Sequence, residues 1–462
     1  MRAFQWTSFV LVVLMIIFSS ISLFGGKLLP NPLYTPDPTG VLSTYSTAGG
    51  IDINNPFFQS LGTNGRTCNT CHISSSAWTI TPADVQAKFD ATQGTEAIFR
   101  TVDGSNCPSA DVSTASARHR AYSQLLTKGL IRVSVAVPAN AEFRIIAIQD
   151  PYNCAETTAA NPALYRRPLP ATNLGFLSTI MWDGRETIFG AIPKRSINLM
   201  QSLTNQATDA TLGHAQGIAA PTPEQLSQIV VFETGLYTAQ ANDQHAGDLS
   251  ARGAAGGPGH LSKQNFYVGI NDSLGGDPSG DTFTPDVFNL YSSWKNLTGS
   301  HHRQAVARGE DLFNNMPIPI TSVGGLNDAL GQPVIMGTCT TCHDSPNAGN
   351  HSFSVPLAIG TTASPAMSAL DISGLPVYTV QCIATGGTVQ VTDLGRALIS
   401  GKCADIGKLK GPVLRGLAAR APYFHNGGAA TLNDAVEFYN QRFNLSLTPQ
   451  QKADLVAFLQ SL

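Results

Sequence analysis

Charge is what this 462-residue chain has least of: Asp, Glu, Lys and Arg together make up 13% of it, against about 25% in ordinary soluble domains. The 28 basic and 31 acidic residues leave a net charge of −3. So balanced a chain lacks the polycationic field that grips phosphate backbones, which excludes nucleic acid as a partner. Cysteine is sparse too, with eight residues in all, too few for a disulfide scaffold. No tandem repeat is visible, which removes solenoids and propellers. Beyond residue 27 no apolar run approaches membrane length. Disorder is excluded for the chain as a whole, because 42% of its residues are hydrophobic. At about 150 residues per domain, the length predicts two or three domains.

Glycine and proline are abundant, at 43 and 28 residues, as in a loop-rich protein. The apolar run Phe9–Phe18 and its flanks read as a signal peptide or an N-terminal membrane anchor over residues 1–27. Either assignment sends the remainder out of the cytoplasm, to the periplasm. The Pro-rich stretch 28–44 reads as a linker, with the first folded domain starting near residue 45.

One pentapeptide occurs twice: Cys68-Asn-Thr-Cys71-His72 and Cys339-Thr-Thr-Cys342-His343. Chance would supply about 0.003 copies of C-x-x-C-H at this composition. On the first turn of a helix, positions i, i+3 and i+4 share a face. Two thiols can then bond the vinyl groups of a haem while the imidazole reaches the iron. A thioredoxin-like pair does not account for the histidine, and no zinc-ribbon spacing flanks either copy. The pattern therefore predicts two covalently bound haem c groups, with Cys68, Cys71, Cys339 and Cys342 as attachment points and His72 and His343 as iron ligands. The remaining cysteines fall in pairs within each half, which by proximity suggests disulfides Cys107–Cys154 and Cys382–Cys403.

Helix starts are marked by Thr-Pro with an acid or amide at the third helical position: Thr81-Pro-Ala-Asp84, Thr222-Pro-Glu-Gln225 and Thr448-Pro-Gln-Gln451. The last opens a helix carrying Leu455, Val456, Phe458, Leu459 and Leu462. Alternation over 129–148 suggests a small β-hairpin. The expected fold is mainly α, with long loops and that small β element. Two cytochrome c-type haem domains are expected, at 45–298 with insertions and at 299–462.

Three blocks resemble the bacterial di-haem cytochrome c peroxidase family, which includes MauG-like di-haem oxidases. They are Thr67–His72, Ile180-Met-Trp-Asp-Gly-Arg185, and Lys410–Gly427 with Ala-Thr-Leu432 and Ala-Val-Glu-Phe-Tyr439 behind it. Insertions at about 90–165 and 208–295 have no counterpart in the compact peroxidases. The resemblance implies an exported di-haem oxidoreductase that reduces hydrogen peroxide. Electrons would come from a donor protein, a small cytochrome or cupredoxin. It makes Trp182 the bridge between haems, and Arg185 reads as a propionate partner. Tyr439 falls in the register of the second haem's distal ligand, Met in simple peroxidases and Tyr in MauG-like oxidases. No histidine occurs in 73–98, so the first haem has an open or differently filled sixth position. Gln206 matches a catalytic glutamine of the family, but the acid expected ten residues later is Gln216. His214 is the better proton-transfer candidate on chemical grounds. The resemblance also admits calcium between the domains, held by carbonyls near Arg420 and Pro422, although Arg167 stands where the family has Asn. A di-haem electron carrier without turnover and a MauG-like oxidase acting on a partner protein are the alternatives.

Overall fold

The computed structural model describes residues 28–191 and 196–462. The expected signal or anchor over 1–27 lies outside them, and among the described residues no helix is long and apolar enough to cross a membrane.

All three Thr-Pro signatures open helices. In α1 (Pro82–Thr92), α3 (Pro223–Thr234) and α6 (Pro449–Gln460), the threonine side chain accepts from the third helical N–H, and that residue's side chain returns a bond to the threonine backbone. The other long helices are α2 (Leu199–Gly213), α4 (His301–Asn315) and α5 (Leu432–Arg442). Helix α6 packs along α4, burying Leu455, Phe458 and Leu462 with Val306 and Phe313. Gly309 of α4 lies so close to the Asp454 carbonyl that an added Cβ would sit 2.0 Å from its oxygen.

Strand is more plentiful than expected: the described residues form five small sheets, so the fold is mixed. The stretch 28–44 is not a linker. Leu33–Asp37 and Gly40–Ser46 form a hairpin on Leu236–Asp243 in a four-stranded sheet. Pro36 is tolerated because Leu33–Asp37 is an edge strand, and Asp37 closes the turn by accepting from Thr39 N and Oγ1. The hairpin expected over 129–148 is also corrected. Ile131–Ser134 pairs with Ala163–Arg166, and Phe143–Gln149 pairs with Val377–Cys382, far along the chain. Each segment has strand character, but its partner is remote.

Packing crosses residue 298. The largest apolar cluster joins Leu249, Phe288, Tyr291 and Trp294 to residues of α4 and α6. Both expected cysteine pairs lie at disulfide distance, with Cα–Cα separations of 5.5 Å for Cys107–Cys154 and 5.8 Å for Cys382–Cys403.

Candidate functional site

Each C-x-x-C-H forms a single 3-10 turn, Cys68–Thr70 and Cys339–Thr341, not the opening of an α-helix. Thr67 and Thr338 cap these turns, their N–H groups donating to Thr70 and Thr341 Oγ1, both at 2.9 Å. An i→i+4 bond follows, His72 N to Cys68 O at 3.0 Å and His343 N to Cys339 O at 3.1 Å. The three side chains thus share a face although no helix continues.

The imidazoles are oriented alike. His72 Nδ1 lies 3.0 Å from Trp78 O, and His343 Nδ1 lies 2.6 Å from Gly349 O. A carbonyl only accepts, so Nδ1 carries the proton and Nε2 keeps its lone pair, the tautomer a metal-binding histidine needs. Burial lowers the pKa of both rings. The thiols are free, and burial pushes them up, Cys71 to about 11 and Cys339 and Cys342 to about 12. A thioredoxin-type pair shifts the other way. The two C-x-x-C pairs also line separate cavities, and among the described residues no group of three or more His, Cys, Asp or Glu is placed to hold a metal ion. The zinc alternative therefore has no geometric support.

Beside the attachment turns lie two spaces that open to solvent, about 1670 Å³ at the first and about 1770 Å³ at the second with their open mouths included. Each space lies against the thiols and the imidazole of its own attachment turn. Trp182, Arg167, Lys410 and Arg420 line both cavities and form a common wall. Trp182 is held there by its indole N–H donating to Arg167 O (2.8 Å) and by its carbonyl accepting from Lys410 N (2.9 Å).

That wall is cationic and short of acceptors. Arg415, which lines the first cavity, has Nε and Nη2 buried without partners, and Arg420 Nε is likewise unpaired. Among the described residues, Lys410 Nζ donates only to Thr179 O (2.9 Å). Unpaired buried cations beside two cavities suit a group carrying carboxylates, as haem does through its propionates. With the free thiols and the bare Nε2 atoms, the residues present fit haem c at both sites. Arg185 also lines the first cavity, but its guanidinium is paired with Asp183 at 3.1 Å.

Calcium fares differently. The Arg167 guanidinium takes one of the expected carbonyls, that of Arg420 (3.2 Å), and also donates to Lys128 O (2.9 Å) and Ile80 O (2.6 Å). An oxygen that would coordinate calcium already faces a cation, so the donor set does not fit the metal.

Gln206 and His214 stand two turns apart on one face of α2 and its C-cap, and both line the first cavity, whereas Gln216 does not. Tyr439, on α5, lines the second cavity with His343. Burial, followed by the nearby Cys342 and Cys339, raises its pKa. The capping box Thr431–Asp434 starts α5 as the sequence suggests. His425 lines the second cavity, with ring centroid 6.2 Å from that of Trp182.

Two first-cavity residues were missed from sequence. Asp103 binds His214 Nδ1 through Oδ2 (2.5 Å) and Arg66 Nη1 through Oδ1 (2.6 Å). Glu233, on α3, is buried, its carboxyl has no hydrogen-bond partner among the described residues, and burial raises its pKa to about 8. Glu233 had a signal, a lone acid four residues after Ile229 on an apolar face. Asp103 had none.

No protein-family model matches the chain. It is 34% identical over 141 residues to cytochrome-c peroxidase IdrP2 of Denitromonas iodatirespirans, covering 27% of this chain and 36% of the relative. It is 41% identical over 69 residues to cytochrome c551 peroxidase of Nitrosomonas europaea, covering 15% and 21%. The chain thus spans about a third or less of the length of these relatives. A solved structure of a MauG-like protein associated with microbial copper homeostasis aligns over 94% of both chains at 15% identity, with a TM-score of 0.38.

Proposed function

We propose that this chain, a sequence relative of bacterial cytochrome-c peroxidases, is an exported di-haem oxidoreductase that reduces hydrogen peroxide with electrons from a small donor protein. The observation that carries the reading is the common wall: one tryptophan and a set of buried cations border both C-x-x-C-H cavities. Cys68 and Cys71 hold one haem c and Cys339 and Cys342 the other, in two haem-bearing units divided near residue 298. His72 and His343 would hold the two irons, and Tyr439 would serve as a further iron ligand at the C-terminal site. Bound haem supplies reversible one-electron chemistry and an iron that can bind peroxide.

The protein's part is position and protons. Trp78 O and Gly349 O fix the ligand tautomers. Arg415, Arg420 and Lys410 supply charge for the propionates, and Trp182 offers the aromatic path from the C-terminal to the N-terminal site. Gln206 and His214 face the cavity where peroxide binds, Gln206 to orient it and His214 to move its proton. Calcium has no place in this arrangement. Tyr439 in the second cavity favours, as the second reading, a MauG-like oxidase that oxidises a partner protein over distance, since an anionic phenolate ligand stabilises oxidised iron.

The spin state of the ferric protein tests both readings against a simple electron carrier. A high-spin haem that peroxide converts to a high-valent form supports an enzyme, and two unreactive low-spin haems overturn it. If Tyr439→Met leaves the haem spectra unchanged, the tyrosine ligand assignment falls.

A further inference from the structure

The segment inserted after the first attachment turn sends one carboxylate to the edge of the first cavity. Asp103 is buried, with 4% of its surface exposed, and among the described residues its carboxylate accepts from His214 Nδ1 at 2.5 Å and Arg66 Nη1 at 2.6 Å. Four of the five N–H groups of the Arg66 guanidinium are engaged. The guanidinium also donates to Ala97 O (3.0 Å), Ile98 O (2.7 Å) and His214 O (3.0 Å). Arg66 stands two residues before Cys68, and Asn64 Nδ2 donates to His214 O at 2.8 Å. The chain that begins the attachment turn therefore grips the histidine at the end of α2. His214 is partly open to solvent, its side chain 39% exposed, while lining the same cavity as His72.

We propose that Asp103, held by Arg66, positions His214 as the proton-transfer base of the first cavity, which makes the inserted segment part of the active site. The proposal rests on the peroxidase reading above and takes the place of the absent acid at Gln216. A carboxylate on Nδ1–H fixes the tautomer with Nε2 bare and stabilises the imidazolium once a proton is taken. Nε2 takes the proton from one oxygen of hydrogen peroxide and returns it to the other, and that oxygen leaves as water when the O–O bond breaks. Two electrons, delivered singly by a one-electron donor protein, and two protons from solvent convert the remaining oxygen to the second water. Solvent exposure of His214 allows it to exchange protons between turnovers.

A merely structural Asp103 would do no more than neutralise Arg66. The two roles separate in the full-length, haem-loaded protein by stopped-flow binding of hydrogen cyanide to the ferric state. A distal base must take the proton of hydrogen cyanide, yet no turnover is involved. His214→Ala and Asp103→Asn are each expected to slow cyanide association and the peroxide reaction by roughly 10- to 100-fold. Asp103→Glu, which keeps the carboxylate, is expected to restore most of the rate. The double variant Asp103→Asn/His214→Ala is expected to be no slower than His214→Ala alone. Where Asp103→Asn does not fold, Arg66→Lys replaces it, with slowing expected in the wild-type background and none in His214→Ala.

Wild-type rates in Asp103→Asn alongside a slow His214→Ala would overturn the positioning role. So would an Asp103→Asn penalty that persists undiminished in the His214→Ala background. If His214→Ala binds cyanide and reacts with peroxide as fast as wild type, the proposal falls while the peroxidase reading stands. If the wild-type protein reacts with neither, both fall.

Discussion

Beside the tryptophan of the common wall, Asp183 joins a buried ion-pair chain between the two halves of the protein, and Asp183→Asn measures how much that chain stabilises the fold. Asp183 has no exposed side-chain surface and lies 2.5 Å from Arg166 and 3.1 Å from Arg185. Arg166 reaches on to Asp393 at 2.7 Å, tying the first half of the chain to the second. Burial alone would raise the Asp183 pKa, but the guanidiniums of Arg166 and Arg185 outweigh it and hold the carboxyl at about 2, against an ordinary 3.8. A carboxyl with a depressed folded pKa adds stability above its unfolded pKa and loses it as pH falls through the folded value. That depression corresponds to about 2 kcal/mol at pH 7 and about 1 kcal/mol at pH 3. Asparagine keeps the shape and removes the charge. Urea unfolding followed by tryptophan emission should show Asp183→Asn less stable by about 2 kcal/mol at pH 7, with the gap roughly halved at pH 3. A gap under about 0.5 kcal/mol at pH 7, or one that does not narrow on acidification, would refute the ion-pair account.

Trp182→Phe keeps an aromatic ring but loses the bond to Arg167 O. It should slow electron delivery to the first haem by the donor, read by stopped-flow spectroscopy, while cyanide binding there stays at the wild-type rate. Serine pairs at Cys107/Cys154 and Cys382/Cys403 open loops with separations of 47 and 21 residues. Chain entropy puts the losses at about 4 and about 3.3 kcal/mol, so urea midpoints should fall in that order. Calcium chelation should change neither melting temperature nor haem spectra, and stoichiometric calcium retained through gel filtration would contradict this reading of Arg167.

What could be read in the chain is what local chemistry decides. The Thr-Pro caps fix their helices within four residues, and the attachment pentapeptide brings its own ligands together. Strand partnership is not local. Gly40–Ser46 becomes a strand because Leu236–Asp243 lies beside it, almost 200 residues on, and nothing within a Pro-rich stretch announces that. Likewise Phe143–Gln149 alternates visibly, but no periodicity says that its partner is Val377–Cys382. Asp103 marks the same limit at the site. Its value depends on a contact across 111 residues, whereas His214 and Gln206 could be placed by counting along one helix.

The scarcity of charge gives the common wall its meaning. Burial lowers the pKa of Lys410 to about 7, of Arg167 to about 9, and of Arg415 and Arg420 to about 10, and no carboxylate pairs with any of the four among the described residues. An unpaired buried cation costs several kcal/mol, so the bare chain bears this cost at the surface where its two cavities meet. On the proposed reading the propionates provide the missing counter-charge, which ties stable folding to haem attachment. Arg167 is the exception. Its three carbonyls satisfy it without an anion, so its task is to join the loops that carry Ile80, Lys128 and Arg420. The same wall therefore does two kinds of work, with Lys410, Arg415 and Arg420 awaiting an anionic cofactor and Arg167 fixing the place where Trp182 stands between the two sites.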